Sequence, residues 1–95
     1  MKVIHKQILD LTPIQTLSLP ADSEILSIQN QNENICVWYM FSHDYPKKDR
    51  IFHLFGTGHR EIPNDLDLKL KHLASVQMSQ GQFVWHIFIE VKQTK

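Results

Sequence analysis

A chain of 95 residues supports one domain with a modest core, burying roughly 60–65% of the unfolded surface. Lys plus Arg and Asp plus Glu number 10 each, so the net charge is zero and no global field draws in nucleic acid or anionic lipid. Its 42% hydrophobic content excludes a disordered chain, and Cys36, the one cysteine, excludes an internal disulfide and a cysteine-rich zinc site.

No apolar run approaches the ~20 residues of a membrane span, and the opening Met1 to Lys6 lacks an apolar core of signal-peptide length. These features predict a soluble protein of the cytoplasm, needing no cofactor.

Residues 3–11 alternate weakly, with Ile4 and Ile8 on one parity and Val3 and Leu9 on the other. This predicts a first strand near a sheet edge, where Lys6 blunts edge pairing. Pro13 ends or bends it. Residues 15–19 predict a short second strand with Leu17 and Leu19 inward, and Pro20, Ala21, Asp22 and Ser23 a turn.

Residues 24–42 are the stretch around which the chain is organised. Two apolar runs flank a knot of Asn, Gln and Glu, the pattern of a β-hairpin. A short loop at Asn32 and Glu33 predicts Ile28 opposite Val37 and Leu26 opposite Tyr39, although four or five loop residues fit as well. The run from Ile35 to Phe41 is apolar on both alternating faces, which predicts a central strand with cover on both sides.

His43 to Asp49 is too polar for a strand and carries Pro46. Residues 50–55 predict the next strand, ending at Gly56, Thr57, Gly58 and His59. Pro63, Asn64 and Asp65 argue for irregular chain over 60–67, with Asn64 able to cap one helical turn. Residues 69–78 and 82–91 predict a closing hairpin about Gln80 and Gly81, pairing Met78 with Phe83, Val76 with Trp85 and Ala74 with Ile87. Leu70, Ala74, Val76, Met78, Phe83, Trp85, Ile87 and Ile89 then form a core face. Lys71, Leu73, Ser75, Gln77, Val84, His86, Phe88 and Glu90 form a mixed one, and residues 92–95 fray.

The result is about seven short strands with turn signals at roughly 8–12 residue spacing and no sustained helical period. The expected fold is all-β: one domain over residues 1–95, an antiparallel two-sheet β-sandwich, with a partly open barrel as the alternative and little or no helix.

Three segments carry a resemblance: Glu24-Ile25-Leu26-Ser27-Ile28-Gln29-Asn30-Gln31, Ile35-Cys36-Val37-Trp38 and Phe55-Gly56-Thr57-Gly58-His59. They resemble a family of small proteins of tailed bacteriophages and prophages. The likeness extends to the Lys-rich opening strand, the segment from Gln15 to Pro20, and the run from Phe83 to His86, so it covers nearly the whole chain. The family often has Pro directly after its Gly-Thr-Gly-His; here Arg60 follows and Pro63 comes later. The resemblance implies a phage-encoded accessory protein without assigned chemistry, in the bacterial host cytoplasm. By association with small phage proteins as a class, it implies inhibition of a host defence or other host protein by binding.

Five constellations bear on chemistry. Gly56, Thr57, Gly58, His59 and Arg60 suggest an anion site for a nucleotide-like ligand, because consecutive amides in a glycine turn form a concave nest; the plain alternative is a tight connection. His53, His59 and His86 include three imidazoles but no compact zinc spacing, so no metal is expected. Cys36 lies in an apolar run with nothing nearby in sequence to lower its pKa, and no Gly-x-Ser-x-Gly elbow exists, so catalysis is not expected. Lys47, Lys48 and Arg50 with Tyr45 offer a small basic cluster, diluted by Asp44 and Asp49, which argues against a nucleic-acid partner. Leu73, Val84, His86 and Phe88 on the mixed face suggest a protein interface, either with a partner protein or in a homodimer.

Overall fold

The computed structural model describes residues 1–58, 61–62 and 69–91. Among the described residues seven strands occur in chain order: β1 (Val3–Leu9), β2 (Ile14–Pro20), β3 (Glu24–Gln31), β4 (Asn34–Phe41), β5 (Lys47–Gly56), β6 (Lys69–Met78) and β7 (Phe83–Val91). They form a three-stranded sheet in the order β1-β4-β3 and a four-stranded sheet in the order β2-β5-β7-β6. Every pairing is antiparallel. The two sheets face each other without closing into a barrel, and the thin axis of the molecule, 16 Å against 40 and 38 Å, is that of two layers.

The core lies between the layers. Leu9, Ile28, Ile35 and Val37 of the small sheet meet Phe52, Leu54, Val76, Met78, Ile87 and Ile89 of the large one. A second cluster of Leu19, Tyr39 and Phe41 continues it. Each fully buried aliphatic or phenyl group stabilises the fold by roughly 1.5–3 kcal/mol. β4 is the middle strand of its sheet, and its Ile35, Val37, Tyr39 and Phe41 face the core. Its other parity, Cys36, Trp38 and Met40, faces outward. Cys36 is nonetheless buried, between neighbours Ile8 and Gln29, while Trp38 and Met40 are half-buried. Two layers of sheet supply cover on one side of β4 only, so the expected cover on both faces is not met: lateral neighbours bury Cys36 and leave Trp38 and Met40 half-buried.

Two bulges change the predicted faces. Between Ile25 and Ser27 the register of β3 against β4 shifts, so Ile28 faces Val37 as expected but Ile25, not Leu26, faces Tyr39. Leu26 is left 43% exposed while Ile25 joins the core. In β6 the shift falls between His72 and Ala74. Met78, Val76 and Ala74 face Phe83, Trp85 and Ile87 as predicted, but Leu70 is carried to the outer face opposite Glu90. Phe83, at the hairpin tip, is 49% exposed rather than core.

β5 begins at Lys47, earlier than predicted. The polar residues Lys48 and Asp49 are held by pairing with Leu19 and Ser18 of the edge strand β2, a long-range contact that no local pattern announces. The segment expected to be irregular, with the Asn64 cap, lies outside the described residues save for Glu61 and Ile62, as does the terminal stretch 92–95.

Candidate functional site

The most organised polar surface is the outer face of the four-stranded sheet. Register alone builds it. With Phe52, Leu54, Ile87 and Ile89 committed to the core, the alternate residues of β5 and β7 must point out. One row across three strands is His53, Phe88 and His72; the next is Phe55, His86 and Ser75.

The first row is aromatic. Phe88 stands edge-on to Phe55, with ring centres 5.5 Å apart, and to His72 at 5.2 Å. His53 lies parallel to Phe55 at 6.4 Å. Edge-to-face contacts of this kind fix ring positions beyond what burial alone does. His53 Nε2 is 2.6 Å from Glu90 Oε2, while its Nδ1 is buried without a partner. Near β5 the face is closed to water, with His53 3% exposed; toward β6 it opens, with His72 and Ser75 exposed.

The second row is a hydrogen-bond chain. Thr57 Oγ1 lies 3.4 Å from the Val84 carbonyl and 2.8 Å from His86 Nε2. His86 Nδ1 is 2.8 Å from Ser75 Oγ, which is 3.1 Å from His72 Nε2. Each hydroxyl can donate or accept, so the chain can run in either direction. It holds the His86 ring between Thr57 and Ser75, and presents Ser75 and His72 to solvent.

The family described as "Domain of unknown function (DUF7352)" matches residues 1–95. The chain belongs to that family. No curated protein and no solved structure matches it.

Within this DUF7352 domain the two predicted sites are neighbours. Thr57 of the glycine loop is hydrogen-bonded to His86 of the predicted interface. Val84, His86 and Phe88 share the outer face, but Leu73 does not; it sits at the β6 bulge and packs against the core. His72 takes the place that alternation gave to Leu73. Strict alternation puts His72 among Leu70 and Ala74 on an apolar face, and that misfit was the available signal of a bulge. The Glu90 partner of His53 comes from a strand 37 positions away and left no local trace.

Of the loop residues, Gly56 is buried at the end of β5, and Thr57 and Gly58 are exposed. Gly58 takes φ +77°, which glycine accepts without strain. The Thr57 amide donates to the Val84 carbonyl at 3.2 Å, so it is spent on the sheet and not turned into a loop concavity. His59 and Arg60 lie outside the described residues. A shallow cleft of about 160 Å³ is lined by Gly56, Thr57, Gln82, Phe83, Val84 and Trp85. Sites for small organic ligands usually run from about 300 Å³ upward.

Among the described residues no three of His, Cys, Asp or Glu are grouped to hold a metal ion, and no helix is long and apolar enough to cross a membrane. The basic residues near Tyr45 are partly engaged: Arg50 Nη2 donates to the Ser23 carbonyl at 3.0 Å, and Lys47 faces Asp44 at 3.5 Å.

Proposed function

We propose that the protein acts by binding another protein through the outer face of its four-stranded sheet, as a phage-type accessory protein that blocks a protein of the bacterial host. The observation that carries the binding reading is the surface of β7. Half-buried Phe88 and Val84 stand beside a hydrogen-bonded row of Thr57, His86, Ser75 and His72. An aromatic anchor ringed by oriented polar groups is the composition of a binding surface. Its rings and hydroxyls are fixed before any partner arrives, which lowers the ordering cost of association. The host, the counter-defence role and the cytoplasmic site of action rest on the resemblance of the Gly-Thr-Gly-His loop and the Ile-Leu-Ser strand to small phage proteins.

Affinity capture from a bacterial lysate tests this, with wild-type protein beside the variants Phe88→Asp and Val84→Asp. One host protein recovered by the wild type and lost with both variants is the expected result. Equal recovery by all three would remove the face from the account. A second reading, sequestration of a nucleotide-like ligand at Gly56 to Arg60, has the small cleft beside Thr57 in its favour. Calorimetry against a panel of cyclic nucleotides separates the two: heat lost on Arg60→Ala supports the ligand reading, and no heat across the panel supports the protein-binding one.

A further inference from the structure

Among the described residues the sandwich has four edge strands: β1 and β3 in the small sheet, β2 and β6 in the large one. An edge strand offers unpaired N–H and C=O groups, and folded proteins blunt such edges with bulges, prolines or charge. Three of the four carry a bulge or a proline. β3 bulges between Ile25 and Ser27, and β6 between His72 and Ala74. β2 is preceded by Pro13 and ends on Pro20. β1 has neither. It runs seven residues in unbroken register with β4, from Val3 opposite Phe41 to Leu9 opposite Ile35. The central charge of this edge is Lys6, and its Nζ donates to Gln31 Oε1 at 2.6 Å, on the far strand β3. The lysine expected to guard the edge leans away from it.

We infer that β1 pairs antiparallel with β1 of a second copy of this chain, joining two three-stranded sheets into one of six strands. The strand's own sequence argues for this occupant. With a two-fold axis at Lys6, Lys2 faces Asp10 of the other copy, Val3 faces Leu9, Ile4 faces Ile8 and His5 faces Gln7. Opposite charges meet at both ends and apolar groups meet between them, the pairs that stabilise a ladder. Moving the axis to His5 sets Ile4 against Lys6, and moving it to Gln7 sets Ile4 against Asp10. The one unfavourable pair is Lys6 with itself, on one face of the joint sheet, and each amine is already drawn away from the axis toward its own Gln31 on β3.

Three of the four apolar groups concerned are open to water in the single chain, Val3 at 48%, Ile4 at 57% and Ile8 at 46%, while Leu9 is buried in the core. Ile4 and Ile8 lie beside outward-facing Met40 and Cys36, so pairing extends an existing apolar strip across the axis. Zero net charge adds no long-range repulsion between copies. One shared ladder buries less than a standard interface, so the affinity is on the order of micromolar or weaker. The outer faces of both large sheets stay open, and the pairing is therefore independent of the binding proposed above.

Sedimentation equilibrium from micromolar to several hundred micromolar protein tests the pairing, and a dimer mass at the upper end is expected. A monomer mass throughout would overturn it. The double variant Ile4→Lys/Ile8→Lys sets like charges opposite at exposed positions, and should raise the dimer dissociation constant by about tenfold or more. The variant Ile4→Lys/Ile8→Glu should recover dimerisation, because each introduced lysine then faces an introduced glutamate. A dimer that survives the double lysine variant, with wild-type circular dichroism, would place the contact elsewhere and overturn the proposal. So would a charge-paired variant that is folded and stays monomeric.

Discussion

Glu33 occupies the left-handed region at φ 61°, next to Asn32 at 52°, a conformation that costs a non-glycine residue roughly 1–2 kcal/mol. Its carboxylate offers a reason for its presence. It accepts from Asn30 Nδ2 at 2.9 Å and from the Ser79 amide at 2.7 Å, tying the β3–β4 turn to the β6–β7 turn across the sandwich. The Asn30 side chain, followed by the Ser79 amide, holds the Glu33 carboxyl below the usual range. The unfolded chain binds that proton more readily than the folded one. The stabilisation is therefore complete above the ordinary glutamate range and disappears as pH falls through it and past the lower folded value. Urea titrations of wild type and Glu33→Gln should differ at neutral pH and converge on acidification; a constant gap would refute the assignment. A second residue-scale prediction concerns His53, whose Nδ1 is already buried without a partner. Glu90→Ala leaves Nε2 unpaired as well, and should lower stability by about 1–3 kcal/mol, read from the urea midpoint.

At the scale of elements, the β6–β7 hairpin is the clearest unit. Its connection holds Ser79, Gln80 and Gly81 in succession at positive φ, with Gly81 at 89°. Open space is not the difficulty there, since an added Cβ at Gly81 would meet only Gln77 Oε1 at 3.4 Å. The cost is the backbone conformation, and Gly81→Ala should destabilise by about 1–2 kcal/mol while leaving the strand pairing intact by circular dichroism. Ile87 is fully buried at the centre of the same hairpin. Ile87→Ala should cost about 2–5 kcal/mol and Ile87→Val about 0.5–1.5, a graded series that separates lost packing from lost turn geometry.

For the whole molecule, both sheets contribute to one core, so neither has an apolar interior of its own. Trp38 on β4 and Trp85 on β7 give each sheet its own reporter. Tryptophan fluorescence from Trp38→Phe and Trp85→Phe should each follow that variant's far-UV circular dichroism through a single midpoint. Separate transitions would mean that the layers fold apart.

Much of this architecture is readable from pattern, because period-two alternation and turn chemistry act between near neighbours. The hairpin about Asn32 and Glu33, the partnering of Ile28 with Val37 and of Val76 with Trp85, and the middle place of β4 all follow from such local rules, while the two-residue length of that loop is decided by the pairing of Gln31 with Asn34. The bulges do not. Which residue is displaced at Ile25–Ser27 or at His72–Ala74 depends on what the opposite strand and the other sheet require, and one displaced residue exchanges the faces of all those beyond it. That is why Leu73 went inward and His72 came out to join His86. The same holds for the polar network: His53 with Glu90, and Thr57 with His86, are joined over 37 and 29 positions, and such partners become neighbours only when the strands have taken their order in the sheet.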